Sequence, residues 1–306
     1  MKTKNMKHPH NRFYSKTGTR SMKQNFVASI STMAIALALL LTYSGCSLIQ
    51  SPSGPKWEQM FNGKDLNGWD VKIRKHNLND NYNNTFSVKN GNLQVRYDQY
   101  TRFDEQYGHL FYKKPYSYYL IGVEYRFVGD QVKGGPGWAF RNNGIMVHGQ
   151  PATTMGKDQD FPTSIEVQLL GGTGKGERST ANICTPGTQF VKDGKVIQNH
   201  IMESSSKTFN GDQWVRVEVL VLADSLIVHY VNGEEVLRYN RPQLDPVGGA
   251  IEGQLLKGGS ISLQAESHPT DFRKVEIINL EKYAKNPVKL QQVIQKLMAE
   301  KRIAKQ

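Results

Sequence analysis

The chain predicts an all-β fold, a single β-sandwich or jelly roll over residues 57–281. Three observations support this. From Trp57 to about Leu280, short segments rich in Val, Ile, Tyr and Phe alternate with turn signals. Those signals include Asn62-Gly63, Asn90-Gly91, Asp193-Gly194, Asn210-Gly211 and Asn232-Gly233. The last separates LIVHYV from EEVLRY, the pattern of a tight β-hairpin. No helical periodicity of useful length interrupts the run, so one all-β domain of about 225 residues with an ample core is expected.

The segment before it reads differently. Residues 1–45 carry seven Lys or Arg and no acid up to Lys23, then an apolar run from about Phe26 to Leu41. A basic start, an apolar stretch and small residues before a break describe an export signal. The run falls short of the ~20 residues a membrane span needs. Ser44-Gly45-Cys46 resembles a bacterial lipobox, although Tyr43 stands where Leu is usual. Lipidation at Cys46 is therefore expected, with a chain held in the bacterial cell envelope by its anchor. Residues 46–56 form a Ser/Pro/Gly tether.

The formal charge of +12 belongs to the ends. Seven bases lie in the export signal, and seven more, with Glu300 the lone acid, lie between Lys282 and Lys305. Removing those 14 from 39 bases, and one from 27 acids, leaves 25 and 26 for the body. A near-neutral body carries no nucleic-acid footprint. The tail, residues 282–306, spaces Val288, Leu290, Val293, Ile294 and Leu297 as one amphipathic helix. Cys184 is the only cysteine besides Cys46, so no intramolecular disulfide braces the mature body. With no motif around it, Cys184 reads as a buried small residue.

Function is sought in three strand-like stretches. Side chains on a strand point alternately to its two faces. In SIEVQLL, Ile165, Val167 and Leu169 oppose Glu166 and Gln168. In SISLQAE, Ile261, Leu263 and Ala265 oppose Ser262, Gln264 and Glu266. In RNNGIMVHG, Asn143, Ile145 and Val147 oppose Asn142, Gly144, Met146 and His148. A row of His, Glu, Gln and Asn without Lys resembles the floor of a polar cleft more than a solvated surface.

MFNGKDLNGWDV (60–71), RNNGIMVHG, EVQLL and SISLQAESHPTDFRKVEI (260–277) occur in one order over some 220 residues. Together they resemble the 3-keto-disaccharide hydrolase domain, formerly domain of unknown function 1080. The resemblance implies a concanavalin-like, LamG-like jelly-roll sandwich, here with a C-terminal amphipathic helix. Two departures stand out. His148 occupies a position where many members carry Arg, and residues 149–164 and 171–188 look like long polar additions.

The resemblance implies cleavage of a glycoside or 3-keto-sugar substrate by C2 proton abstraction and loss of the C1 oxygen. That chemistry needs a base, an acid and a stabiliser for the enolate oxygen. Glu166 or His148 is the expected base, with Glu166 ahead, and Glu266 or His268, the latter at the cleft rim, the expected acid. Arg141 is the candidate for the ketone oxygen. Asn143, Gln168 and Gln264 are candidates for sugar hydroxyls, and Trp138 for stacking on a sugar face. No cofactor is certain. A divalent metal ion held by Glu266 with Glu166 and His268 is a further candidate, although no HxH, HExxH or calcium-loop motif is present. The competing reading is a lectin-like module that binds glycan without turnover, because fold does not fix function.

Overall fold

The computed structural model describes residues 54–247 and 250–303. The export signal, Cys46 and most of the tether lie outside the described residues. The described strands are, in chain order, β1 (Glu58–Gln59), β2 (Trp69–Ile73), β3 (Phe86–Lys89), β4 (Asn92–Val95), β5 (Gly108–Tyr112), β6 (Tyr118–Phe127), β7 (Asn142–Gly149), β8 (Ile165–Leu170) and β9 (Asn182–Cys184). There follow β10 (Thr188–Lys192), β11 (Lys195–Ile197), β12 (Ile201–Met202), β13 (Val215–Leu222), β14 (Leu226–Val231), β15 (Glu234–Leu244), β16 (Ser260–Ala265) and β17 (Thr270–Asn279), then helix α1 (Pro287–Ile303).

The strands build two antiparallel sheets. The larger runs β11-β10-β15-β14-β13-β6-β17-β4-β3, with β1 beside β17. The smaller runs β12-β9-β8-β7-β16-β5-β2. This is the all-β sandwich with one C-terminal helix that the sequence predicts. Asn90-Gly91, Asp193-Gly194 and Asn232-Gly233 all take positive φ at both residues, as tight primed hairpin turns require.

Period-2 alternation sets the layers. Tyr119, Ile121, Val123, Tyr125 and Phe127 of β6 and Val217, Val219 and Val221 of β13 enter the core from the larger sheet. Ile165, Val167 and Leu169 of β8 and Ile261, Leu263 and Ala265 of β16 meet them from the smaller one. The Tyr125 hydroxyl crosses between sheets and donates to the Leu170 carbonyl at 3.0 Å. On the larger sheet's outer face, Leu120, Leu220, Leu222 and Val228 receive Leu290 and Leu297 of α1. Pro287 opens that helix, and Asn286 Oδ1 accepts the Lys289 N–H at 3.0 Å.

Beside the helix, charge covers the same face. Asp271 accepts from Arg126 Nη2 at 2.9 Å, from Gln94 Nε2 at 3.0 Å and from Arg96. Arg273 Nε donates to Glu124 at 2.6 Å, pinning the last strand. Arg126 and Arg273 both lie over the Trp214 ring. The Asp271 side chain is only 2% exposed, whereas Arg96 and Arg126 keep partial contact with water. Asp271→Ala is therefore expected to cost about 2 kcal/mol, below the ~3–5 of a fully buried broken pair. Urea-induced unfolding of the two proteins checks this.

Candidate active site

The smaller sheet turns one face to the core and the other to a cavity of about 500 Å³. Its floor comes from β7, β8 and β9. Register sets Met146 opposite Glu166 and Gly144 opposite Gln168, while Glu166 faces Cys184 and Gln168 faces Asn182. These residues therefore share one face. Asn142, Glu166, Gln168, Asn182, Cys184 and Glu266 line the cavity, with Trp138, Phe161, Pro186 and Ile201 around them.

Glu166 owes its position to Gly144. A Cβ on residue 144 would fall 2.6 Å from Glu166 Oε1 and 2.8 Å from its Cγ. The missing side chain is the space the carboxyl uses. Cys184 hydrogen-bonds the Glu166 carboxyl, and its sulfur lies 3.2 Å from His200 Nε2. His200 Nδ1 faces the Thr185 carbonyl at 3.2 Å, so it donates there. Burial and the Glu166 charge push the thiol far up, which leaves Cys184 a neutral hydrogen-bonding group.

Glu266 sits just past the end of β16, where Gln264 Nε2 donates to its Oε1 at 3.4 Å. Its Oε2 has no hydrogen-bond partner. Both carboxyls are buried. Burial raises Glu166 to about 7, with the thiol hydrogen bond opposing it. Burial, and then the Glu166 charge, raise Glu266 well above the usual carboxylate range, outweighing Arg178. Two buried carboxyls this strongly coupled do not both ionise at neutral pH. Glu266 is the one that keeps the proton.

Arg178 supplies the cationic wall. It comes from the polar stretch between β8 and β9, and its Nη1 donates to the carbonyls of Phe140 at 2.7 Å and Gly171 at 2.9 Å. These bonds fix the guanidinium against the cavity that Glu266 also lines. At the mouth, Trp138 is 54% exposed and stacks on Tyr107, with ring centroids 6.1 Å apart and planes 18° from parallel.

Among the residues expected from sequence, Glu166, Gln168, Trp138 and Glu266 come together, and Gln264 lies directly behind Glu266. Four others do not join them. His148 leaves the alternation because β7 bulges: Ser260 pairs with Gly149 but Ser262 with Met146, so two residues oppose one. With φ at 53°, His148 turns away and its Nε2 meets the Ala223 carbonyl at 3.1 Å. Burial lowers its pKa to about 4. His268 is not at the rim. Ser267, with φ at 83°, turns the chain and the imidazole packs edge-on between Phe127 and Phe140. Burial and the charge of Arg141 lower its pKa to about 4. Arg141 reaches away to the Gly211 carbonyl. Asn143 lies on the inner face, its Nδ2 near Thr270 Oγ1 at 3.4 Å, and its neighbour Asn142 lines the cavity instead.

With His268 turned away, the expected metal set of Glu166, Glu266 and His268 does not assemble. Among the described residues no three of His, Cys, Asp and Glu are grouped to hold a metal ion. Sequence reasoning missed Arg178, Asn182, Cys184 and His200. Asn182, with Cys184 two positions on, carried a usable signal, the alternation in the short strand NIC.

The model of the 3-keto-alpha-glucoside-1,2-lyase-like domain matches residues 56–278. The chain belongs to this family. No curated protein matches it. Among solved structures, it is similar to a provisionally assigned glycosyl hydrolase from Parabacteroides distasonis ATCC 8503, at 19% identity and TM-score 0.46 over 73% of this chain and 93% of that one. A second such protein from that organism gives 17% and 0.45 over 73% and 99%. A carbohydrate binding module from Bacillus subtilis gives 10% and 0.39 over 74% and 98%. In this lyase-like domain, the outer face of the smaller sheet is where two buried carboxyls, Glu166 and Glu266, line a concave wall.

A raised carboxyl pKa has a definite linkage sign. Above its unfolded pKa, near 4.5, Glu166 ionises less readily in the folded chain, so stability falls as pH rises from about 4.5 through about 7. Glu166→Gln is expected to flatten that fall, as read from urea unfolding between pH 4 and pH 8.

Proposed function

We propose that this domain cleaves 3-keto-glycosides by elimination at the Glu166/Glu266 pair. The observation that carries the reading is the pair itself, two buried carboxyls in one cavity of which one ionises near neutrality. General base and general acid need opposite protonation states at the same pH, and coupling two carboxyls in low dielectric produces that.

A ketone at C3 acidifies the proton on C2. Glu166, as carboxylate, takes that proton, and the C2–H electron pair passes into the enolate. Arg178, in place of the expected Arg141, offers positive charge to the enolate oxygen. The enolate pair then forms the C1–C2 double bond as the C1–O bond breaks, and the leaving oxygen takes the Glu266 proton. Water adding at C1 returns a proton to Glu266, and Glu166 returns its own to C2. Both carboxyls regain their starting states, and the net change is hydrolysis. The ketone must come from a separate oxidation. Gln168, Asn142 and Asn182 are suited to sugar hydroxyls, and Trp138 to a sugar face at the mouth.

A lectin-like role would use the same tryptophan and amides but gives no task to the carboxyl pair. Methyl 3-keto-glucoside separates the two. Wild type is expected to cleave it, with kcat/KM rising with pH through about 7 as Glu166 ionises. Glu166→Gln is expected to lose roughly 10³-fold in turnover while still binding the sugar. Binding without cleavage by wild type would favour the lectin. The same reading has the chain exported and held at the bacterial envelope by acylation of Cys46. A clickable fatty acid fed to expressing cells should then label wild type and not Cys46→Ala.

A further inference from the structure

One of the two cavity carboxyls is linked to the surface through side chains, and the other is not. Glu166 faces Cys184 across the β8–β9 pair and hydrogen-bonds its thiol. The Cys184 sulfur lies 3.2 Å from Nε2 of His200, and His200 is exposed. Three groups thus run from a carboxyl only 4% exposed, through a buried thiol, to an imidazole in water. The rest of this face is poor in such links. Glu266 accepts from Gln264, an amide that does not pass a proton on, and its Oε2 has no partner. Both ring nitrogens of His109, opposite Gln264, and Ser262 Oγ have none either.

The thiol has one hydrogen and two acceptors for it. His200 donates Nδ1–H to the Thr185 carbonyl at 3.2 Å, which leaves its Nε2 to accept. While Glu166 is ionised, its carboxylate holds the S–H, and burial together with that charge keeps the proton on sulfur. Once Glu166 has taken a proton, its own O–H becomes the donor and the sulfur the acceptor. The S–H then turns about Cβ–Sγ to Nε2, and the chain O–H···S–H···Nε2 points outward. A proton passes along it without a thiolate. The Glu166 O–H bond breaks as a new S–H bond forms, the old S–H bond breaks as Nε2–H forms, and the imidazolium gives a proton to water. Glu166 is left a carboxylate and Cys184 a neutral thiol.

We infer that Cys184 and His200 form a proton relay that exchanges the proton on Glu166 with solvent while the sugar fills the cavity. This rests on the elimination reading above, in which Glu166 takes the C2 proton and later returns one to C2. A sugar in the cavity shuts Glu166 off from water there. Cys184 reaches the carboxyl from the neighbouring strand and does not need that water. Neither relay residue touches C2; both act through Glu166. The proton returned to C2 is therefore not the one taken, and Glu166 is reset to carboxylate while the unsaturated intermediate is still bound. Glu266 has no such route, so the proton it gives the leaving oxygen is replaced by the water that adds at C1.

Cleavage of methyl 3-keto-glucoside in heavy water tests the relay. Water adding at C1 puts no deuterium on carbon, so deuterium at C2 of the product reports exchange at Glu166. Prompt reduction with borohydride stops spontaneous exchange beside the ketone, and NMR then reads C2. Wild type is expected to carry mostly deuterium there. Cys184→Val and His200→Phe should each lower the ratio of deuterium to protium roughly tenfold, because each removes one group of the path. Cys184→Ser, whose hydroxyl also donates and accepts, should restore it. His200 is exposed, so His200→Phe decides alone should Cys184→Val fail to fold. Deuterium unchanged in the variants, or protium kept by wild type, overturns the inference. If wild type neither cleaves nor exchanges the sugar, the elimination reading fails separately, and the relay is decided without substrate. Glu166→Gln imitates the protonated acid, its amide N–H donating to sulfur. The Cys184 S–H infrared stretch, isolated by difference against Cys184→Val, should then shift on His200→Phe in the Glu166→Gln background; no shift overturns the relay.

Discussion

The site depends on burying both faces of the smaller sheet. Its inner face packs against the larger sheet, as any sandwich requires. Its outer face is largely closed off as well: residues 150–163 pack on Phe111 and His109 of β5, and Arg178 is held at the ends of β7 and β8 against the cavity. Water is thereby kept from a row of groups that an open sheet would solvate. Removal of that water raises both carboxyls, Glu266 further than Glu166, and holds the imidazole of His109 neutral. The same carboxyls on an exposed strand would both be ionised at pH 7 and could not divide base from acid.

Strand alternation made half of this legible. Splitting SIEVQLL and SISLQAE into faces assigns Glu166, Gln168, Gln264 and Ile165, Val167, Leu169 correctly, because side-chain direction on a regular strand follows from backbone geometry alone. The same rule failed at His148, where a bulge inserts one residue and shifts all that follows it. A bulge is a property of pairing with β16, so RNNGIMVHG read by itself cannot disclose it. Asn143 was misassigned against its own alternation: its position already set it on the inner face beside Ile145.

Loop residues were less legible for a different reason. Arg178 and Arg141 are both arginines flanking a strand of the site, and composition does not distinguish them. What separates them is where the carbonyls of Phe140 and Gly171 fall, since these fix one guanidinium against the cavity while the other reaches Gly211. His268 resembles a rim residue because it follows the polar row. The turn at Ser267 instead sends it between two phenylalanine rings, a contact between segments more than a hundred residues apart. Cys184 looked inert for want of a local motif, yet its partners arrive from β8 and from the chain before β12.

The two sheets divide the work unequally, and the division explains how so costly a face is tolerated. The larger sheet spends its outer face on stability: α1 seals its leucines, and Asp271, Glu124 and their arginines clasp β17, β6 and β4. Every buried charge there has a partner. The smaller sheet's outer face holds unpaired carboxyl, imidazole and hydroxyl groups, each a stability cost that functional sites commonly carry. Because β16 and β17 are joined by one short turn through Glu266 and Ser267, the segment bearing Gln264 and Glu266 continues directly into β17, whose Asp271 and Arg273 are paired with β6 and with groups at β4 in the larger sheet. Groups that lack partners on one sheet are thus joined to a strand held by ion pairs on the other.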